Sequence, residues 1–143
     1  MNKIVIQNPR IINEGRSFIG SVLVEGDKIA AVFEGEVPGN VRAEANQVID
    51  ATGKWLIPGV IDDQVHFRDP GLTHKGDIGT ESRAAVAGGV TTFMDMPNTK
   101  PQTTTIADLE WKFNRAAEVS RANYSFFFGG TNDNMDEIRR LDR

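Results

Sequence analysis

The chain is informative first for what it lacks. Its 143 residues include no cysteine, which excludes disulfide bonds, thiolate catalysis and cysteine-bound zinc. No apolar run approaches the roughly 20 residues of a membrane span, and the first residues lack the apolar core of a signal peptide. The net charge is −4 and basic residues form no cluster, which argues against nucleic-acid binding. We therefore expect a cytoplasmic protein with no membrane or nucleic-acid partner.

The first region, residues 1–56, has the sequence pattern of a small β-sheet unit. Short runs of β-favouring residues are separated by turn residues. They predict four strands, over residues 3–7, 11–13, 21–25 and 28–33. Gly26-Asp27 suits a two-residue hairpin turn, and the polar stretch 34–46 predicts a loop. We expect a small β-sandwich unit that holds no catalytic cluster.

In the second region, residues 57–143, strands alternate with helices. The predicted strands cover 57–66, 90–96 and 123–128, and the predicted helices cover 77–87, 106–120 and the residues from 133 onward. Such alternation is typical of βαβ units, which form parallel sheets with covering helices. The fold class is therefore predicted to be α/β.

Packing of the second predicted helix follows from its apolar spacing. Leu109, Phe113 and Ala116 or Ala117 recur at helical intervals and are expected to face the core. Trp55 and Trp111 are also expected to be packing residues.

Residues 58–71 contain the most informative stretch of the chain. Alternate side chains of a strand face the same side. This places four polar residues in one row: Asp62, Gln64, His66 and Arg68. The apolar residues between them are expected to pack against helices on the opposite side: Ile61, Val65 and Phe67. A carboxylate, an amide, an imidazole and a guanidinium on one face indicate a functional site.

This stretch resembles the signature strand of the cyclic amidohydrolases, whose usual pattern is Asp-x-His-x-His-x-Arg. Asp62, His66 and Arg68 stand in register with that pattern, and Gln64 stands where its first histidine is expected. The ending Arg68-Asp-Pro-Gly71 and the later Met96-Pro-Asn-Thr99 are similar to dihydroorotases in particular.

The resemblance implies a fold and a cofactor. The fold would be the first βα units of a (β/α)₈ barrel, which needs about 250 residues, so we expect the chain to be truncated. The family holds one or two zinc ions, with His66 as a matched ligand and Gln64 as a doubtful one. The other ligands and the catalytic aspartate would lie downstream. No catalytic residue is therefore expected within this chain, which should be inactive when isolated.

The resemblance also implies that Arg68 and Asn98 hold a substrate carboxylate. Each has a structural alternative: Arg68 as a salt bridge to Asp69 or Asp63, and Asn98 as a turn residue. His66 alone would more often be a hydrogen-bonded core histidine. Thr131, Asn132 and Asp133 follow the third predicted strand and are further candidates for the same edge of the sheet, although the run 132–134 is also expected to cap the third helix. Weaker candidates lie in the loop and first helical turns after the first strand, where polar residues are expected anyway: His74, Lys75, Asp77 and Glu81.

The implied activity is the interconversion of N-carbamoyl-L-aspartate and dihydroorotate in pyrimidine biosynthesis. An allantoinase or hydantoinase is the alternative enzyme, and a non-catalytic structural subunit is the alternative of another class. Gln64 leaves open two metals, one metal or none. The expected partners are a small substrate with a carboxylate and either a second copy of the chain or another enzyme of the pyrimidine pathway.

Overall fold

A computed structural model describes residues 2–141 of the chain. The polypeptide divides into two compact units, one ending at Pro58 and the next beginning at Gly59. Across residues 2–141, no helix is long and apolar enough to cross a membrane.

The first unit is built around one five-stranded sheet. Its elements are β1 (Lys3–Asn13), β2 (Arg16–Glu25), β3 (Lys28–Glu34), α1 (Gly39–Ala43), β4 (Gln47–Asp50) and β5 (Trp55–Leu56). β1, β2 and β3 are antiparallel neighbours, whereas β4 and β5 pair with β1 in parallel. The hairpin at Gly26-Asp27 is confirmed, since Glu25 pairs with Lys28 and Gly26 has a φ of 63°.

Two predictions for this unit were wrong. The runs 3–7 and 11–13 belong to the single strand β1, because a register shift between Gln7 and Arg10 lets the strand continue past Asn8 and Pro9. The stretch 34–46 was predicted to be a loop but contains the five-residue helix α1.

The second unit alternates strands and helices around a three-stranded parallel sheet. Its elements are β6 (Val60–Val65), α2 (Ile78–Ala87), β7 (Val90–Asp95), α3 (Ile106–Val119), β8 (Asn123–Phe126) and α4 (Met135–Arg140). The strand order is β6-β7-β8, with both pairings parallel. The predicted α/β class is confirmed.

The helix starts follow capping rules. Asp77 accepts a hydrogen bond from the Thr80 N–H at 2.9 Å and completes a capping box at the start of α2. Thr105 accepts from the Asp108 N–H at 3.1 Å at the start of α3. These caps explain why both helices begin close to their predicted positions.

The core of the second unit lies between its sheet and its helices. It consists of five buried residues: Phe67, Ile78, Phe93, Ala116 and Phe126. The Phe67 and Phe93 rings lie 4.4 Å apart, and Phe93 meets Phe126 edge to face at 6.4 Å. Phe67, which directly follows His66, is thus anchored in this core.

Three packing predictions were wrong, and that for Phe113 holds in part. Phe113 is 40% exposed because α3 turns Lys112 and Ala116 into the core, but its ring still meets the buried Phe126 ring edge to face at 5.1 Å. Trp111 is exposed for the same reason, and Trp55 lies on the short strand β5 with 73% of its surface exposed. Ile61 is 66% exposed and lies on β6, which within residues 2–141 has a neighbouring strand on one side only.

Candidate active site

The candidate site lies where the parallel strands of the second unit end. Met96 directly follows β7, and its N–H donates to the carbonyl of Val65, the last residue of β6, at 2.9 Å. Just beyond β8, the Phe127 N–H donates to the Asp95 carbonyl, also at 2.9 Å. These bonds hold the three strand ends side by side. Residues from three separate stretches of the sequence therefore share one edge, where parallel α/β sheets bind ligands.

His66 and Asn98 meet at this edge. The His66 Nδ1 atom lies 2.9 Å from the Asn98 Oδ1 atom, and both residues are exposed. An amide oxygen only accepts hydrogen bonds, so with this amide orientation Nδ1 carries the proton. The other ring nitrogen, Nε2, then keeps its lone pair, which is the form of imidazole that binds metals. His66 is an exposed residue at the edge of the sheet rather than a core histidine.

Arg68 departs from the predicted polar row. The strand ends at Val65, and a register shift between Asp62 and Val65 interrupts the alternation on which the row was based. Arg68 lies beyond the strand with a φ of 69°, and its carbonyl accepts from the Leu72 N–H at 3.0 Å. The prediction that Arg68 belongs to the polar row was therefore wrong, because its backbone lies in a turn and not in the strand.

The predicted salt-bridge alternative for Arg68 is also absent. Asp69 instead pairs with Arg115, at 3.3 Å between Oδ2 and Nε. Within residues 2–141, no carboxylate lies within ion-pair distance of the Arg68 guanidinium. Arg68, a half-buried residue, therefore has no competing protein carboxylate among the described residues.

The side chains at this edge could supply part of a metal site. His66 presents a free Nε2, whereas Gln64 is an exposed residue of β6 whose N–H donates to Asp62 Oδ1 at 3.2 Å. An amide oxygen is an uncharged ligand and binds zinc more weakly than imidazole does. In residues 2–141, no group of three or more His, Cys, Asp or Glu side chains is placed to hold a metal ion. The described residues supply one good ligand and do not complete a site.

The two sequence motifs pack against each other. The Lys100 N–H donates to the Pro70 carbonyl at 3.1 Å. Gly71 has a φ of 80°, and a Cβ atom there would overlap the Lys100 carbonyl oxygen. The close approach explains why glycine ends the motif that begins at Arg68. It also joins the loop after β6 to the loop after β7.

Two residues of the site region were missed by the sequence analysis. Asp95 and Lys112 form a buried ion pair, with Oδ2 and Nζ 2.8 Å apart and each side chain 1% exposed. Asp95 Oδ1 also accepts from the Phe67 N–H at 2.8 Å. The available signals were an aspartate ending an apolar strand and a lysine four residues before Ala116 on the buried side of α3.

The other polar candidates lie in loops and in a first helical turn. His74 and Lys75 are exposed in the loop before α2, where Asp77 is the cap and Glu81 lies in the first helical turn. Thr131, Asn132 and Asp133 are exposed in the loop before α4.

Asn134 plays a different part from the one predicted. It occupies the first cap position of α4 but makes no side-chain capping bond. Its Oδ1 accepts from the Thr131 N–H, and its Nδ2 donates to the carbonyls of Thr104 and Gly129, each at 2.8 Å. The predicted capping by the run 132–134 was therefore wrong, because the Asn134 side chain joins loops instead.

Comparison with known proteins decides the family. Residues 53–138 match the protein family described as Dihydro-orotase-like. The chain belongs to this family. The resemblance predicted from the two motifs is thereby confirmed, and the matched residues contain both the β6 motif and the β7 motif.

The relatives of this dihydroorotase-like chain carry three different names. It is 37% identical to an allantoinase of Streptomyces avermitilis over 142 residues, covering 97% of this chain and 31% of the relative. It is 45% identical to a dihydroorotase of Streptococcus thermophilus over 109 residues, covering 75% and 24%. The solved L-hydantoinase (dihydropyrimidinase) of Arthrobacter aurescens matches with a TM-score of 0.87 and 32% identity, covering 98% and 30%.

Two facts follow from these matches. These relatives are cyclic amidohydrolases. The dihydroorotase-like chain spans about a third or less of the length of these relatives: 31%, 24% and 30% respectively.

Proposed function

We propose that the full-length protein is a dihydroorotase, which interconverts N-carbamoyl-L-aspartate and dihydroorotate in pyrimidine biosynthesis. The observation that carries the proposal is the placement of Arg68 and Asn98. Arg68 follows β6 with no ion-pair partner among the described residues, and Asn98 follows the neighbouring strand β7 in contact with His66. This arrangement suits a substrate that carries a carboxylate beside its reacting amide.

Arg68 is assigned to the substrate carboxylate. Its planar fork forms two parallel charge-assisted hydrogen bonds with a carboxylate, and no described side chain competes for it. The Asn98 oxygen is engaged by His66, which leaves its Nδ2 hydrogens free to donate to the same carboxylate. Binding the carboxylate at two points would orient the ring amide for attack.

His66 is assigned to a zinc site of one or two ions. The bond from Nδ1 to Asn98 fixes the ring and its tautomer, so that Nε2 is presented to the metal. Bound zinc would supply a hydroxide nucleophile at neutral pH and polarise the amide carbonyl. Gln64 is assigned as a weak ligand at the place of a second histidine. The remaining ligands and the proton-transferring carboxylate are assigned to the later strands of a (β/α)₈ barrel, outside these residues.

The rest of the proposal concerns the setting of the enzyme. The protein would act in the cytoplasm, as a homo-oligomer or with another enzyme of the pyrimidine pathway. The 143 residues alone would be inactive, because they contain two histidines and no cysteine.

The experiment is a substrate comparison with the full-length protein. Initial rates are measured for dihydroorotate, carbamoyl-aspartate, hydantoin and allantoin at a fixed zinc concentration. The proposal expects the highest kcat/KM with dihydroorotate or carbamoyl-aspartate, because only these carry the carboxylate that Arg68 recognises.

A hydantoinase or allantoinase is the second candidate, since those relatives align over almost the whole chain. Hydantoin itself has no carboxylate for Arg68, so preferred turnover of hydantoin or allantoin would favour this candidate. No metal and no turnover of any substrate would favour the non-catalytic subunit, for which Gln64 is the supporting feature.

A further inference from the structure

Among residues 2–141, Asp95 and Lys112 form the one salt bridge in which both side chains are buried, and the proposed function does not use it. Both residues are 0% exposed, and their charged atoms lie 2.8 Å apart. Removing two charges from water costs several kcal/mol per ion, and the gain from pairing often only offsets this cost. Such a pair is weak evidence for stability alone, so its hydrogen-bond partners are informative.

Those partners lie on three neighbouring segments. Lys112, from α3, donates to Asp95 Oδ2 at 2.8 Å and to the Met96 carbonyl at 3.1 Å. Its ammonium also lies 5.4 Å from the centre of the Phe126 ring on β8. Asp95 Oδ1 accepts from the Phe67 N–H, beyond the end of β6. The pair therefore connects α3 and the strand ends to the segment that carries His66 and Arg68.

The bond to Phe67 replaces a bond of the sheet. The Val65 carbonyl still accepts from the Met96 N–H, as a parallel ladder requires. Two residues later, the Phe67 N–H is bound by a side chain, Asp95 Oδ1, instead of a backbone carbonyl. The backbone can then leave the strand direction while its buried N–H stays satisfied, and Arg68 adopts its φ of 69° one residue later.

We propose that Asp95 and Lys112 are positioning residues of the active site. Asp95 holds the Phe67 N–H, and Lys112 holds the Asp95 carboxylate in the orientation that this bond needs. The backbone between His66 and Arg68 is thereby fixed, and with it the direction of the imidazole and of the guanidinium. Because these two residues take their roles from the proposed dihydroorotase activity, the test needs one readout that is independent of turnover.

Two double variants of the full-length protein separate positioning from packing. Asp95→Asn with Lys112→Gln removes both charges but keeps an amide oxygen for the Phe67 N–H and a hydrogen bond within the pair. Asp95→Leu with Lys112→Met fills a similar volume with apolar atoms, a replacement that often leaves stability unchanged, but leaves the Phe67 N–H without its acceptor. Thermal denaturation checks that both variants are folded.

The first readout is amide hydrogen exchange in residues 66–72, with residues 90–95 as the internal reference. In the apolar variant we expect exchange in 66–72 to accelerate by about tenfold or more, since a buried N–H has lost its acceptor, while β7 stays protected. In the Asn–Gln variant the protection should stay within about threefold of wild type. Unchanged protection of 66–72 in the apolar variant would overturn the proposal.

The second readout is zinc affinity, measured by competition with a chelator, together with KM and kcat. The apolar variant should bind zinc about tenfold or more weakly, and the Asn–Gln variant should stay close to wild type. The proposal would also be overturned if both variants lost zinc affinity and activity equally, in proportion to their decrease in melting temperature. That result would indicate that the pair only stabilises the fold. If wild type does not turn over dihydroorotate, the proposed function fails. The hydrogen-exchange result still decides whether Asp95 and Lys112 position the 66–72 backbone.

Discussion

His66 Nδ1 and Asn98 Oδ1 lie 2.9 Å apart, across the ends of two neighbouring parallel strands. The two residues are separated by 32 positions in the sequence, and the pairing of β6 with β7 brings them together. Asn98 thereby gains two separable tasks in the proposed site. In the proposed function, its oxygen would set the tautomer of a metal ligand, and its amide hydrogens would bind the substrate carboxylate.

Substitutions of Asn98 should separate these tasks. Asn98→Ala removes the acceptor and should weaken zinc binding about 10- to 100-fold, since partners of metal-bound histidines usually contribute that much. Asn98→Asp keeps an acceptor for His66 but replaces the amide hydrogens with a negative charge. Zinc affinity should then be retained while KM for dihydroorotate rises. Equal zinc affinity in wild type and Asn98→Ala would refute the role of the His66 contact.

Substitution of Arg68 should affect only substrates that carry a carboxylate. Arg68→Ala should raise KM for carbamoyl-aspartate about 10- to 100-fold, which corresponds to the loss of hydrogen bonds to a charged group. Arg68→Lys keeps the charge without the planar fork and should give an intermediate KM. Hydrolysis of hydantoin, if present, is the internal control and should change little. An unchanged KM and kcat for carbamoyl-aspartate would remove the assigned role.

Gln64 provides a gain-of-function prediction. Gln64→His restores an imidazole at the position where the family pattern has its first histidine. Bound zinc per protein, measured by elemental analysis after dialysis against dilute chelator, should rise relative to wild type, because imidazole is the stronger ligand. Gln64→Asn keeps the amide and is the matched control. Equal zinc content in wild type and Gln64→His would show that position 64 does not contact the metal.

Two glycines with positive φ form a matched pair for stability. Ala at Gly71 must adopt a φ of 80° and also overlaps the Lys100 carbonyl, whereas Ala at Gly89 adopts a φ of 90° in open space. Left-handed backbone alone costs about 1–2 kcal/mol for a residue with a Cβ. Gly89→Ala should lose about that much stability in denaturant titration. Gly71→Ala should lose more and also impair the site; equal losses would argue against the close packing of the two loops.

Much of the second unit was predictable because its local signals agree with its tertiary structure. The apolar runs of β7 and β8, the caps at Asp77 and Thr105, and the glycines after α2 all mark element ends by local chemistry. The two motifs likewise predicted that the polar residues after β6 and β7 would lie at one edge, since the ends of parallel strands lie side by side.

The failed predictions concern features that depend on contacts distant in sequence. Lys112 looks like a solvated helix residue until the fold brings Asp95 within 2.8 Å of it, so the helix pattern does not predict that Lys112 is buried. Arg68 follows simple alternation only if β6 continues, and the register shift before Val65 is set by pairing with β7. The hydrogen-bond partners of buried polar side chains are set by the tertiary structure, and the apolar spacing of the sequence does not reveal them.

The central claim is that this dihydroorotase-like chain selects substrates through a carboxylate held by Arg68. The most direct measurement is the ratio of kcat/KM for dihydroorotate to that for hydantoin, in the full-length protein and in its Arg68→Ala variant. We predict that wild type favours dihydroorotate and that the substitution lowers the ratio by about tenfold or more. A wild-type preference for hydantoin, or a ratio that Arg68→Ala leaves unchanged, would contradict the claim.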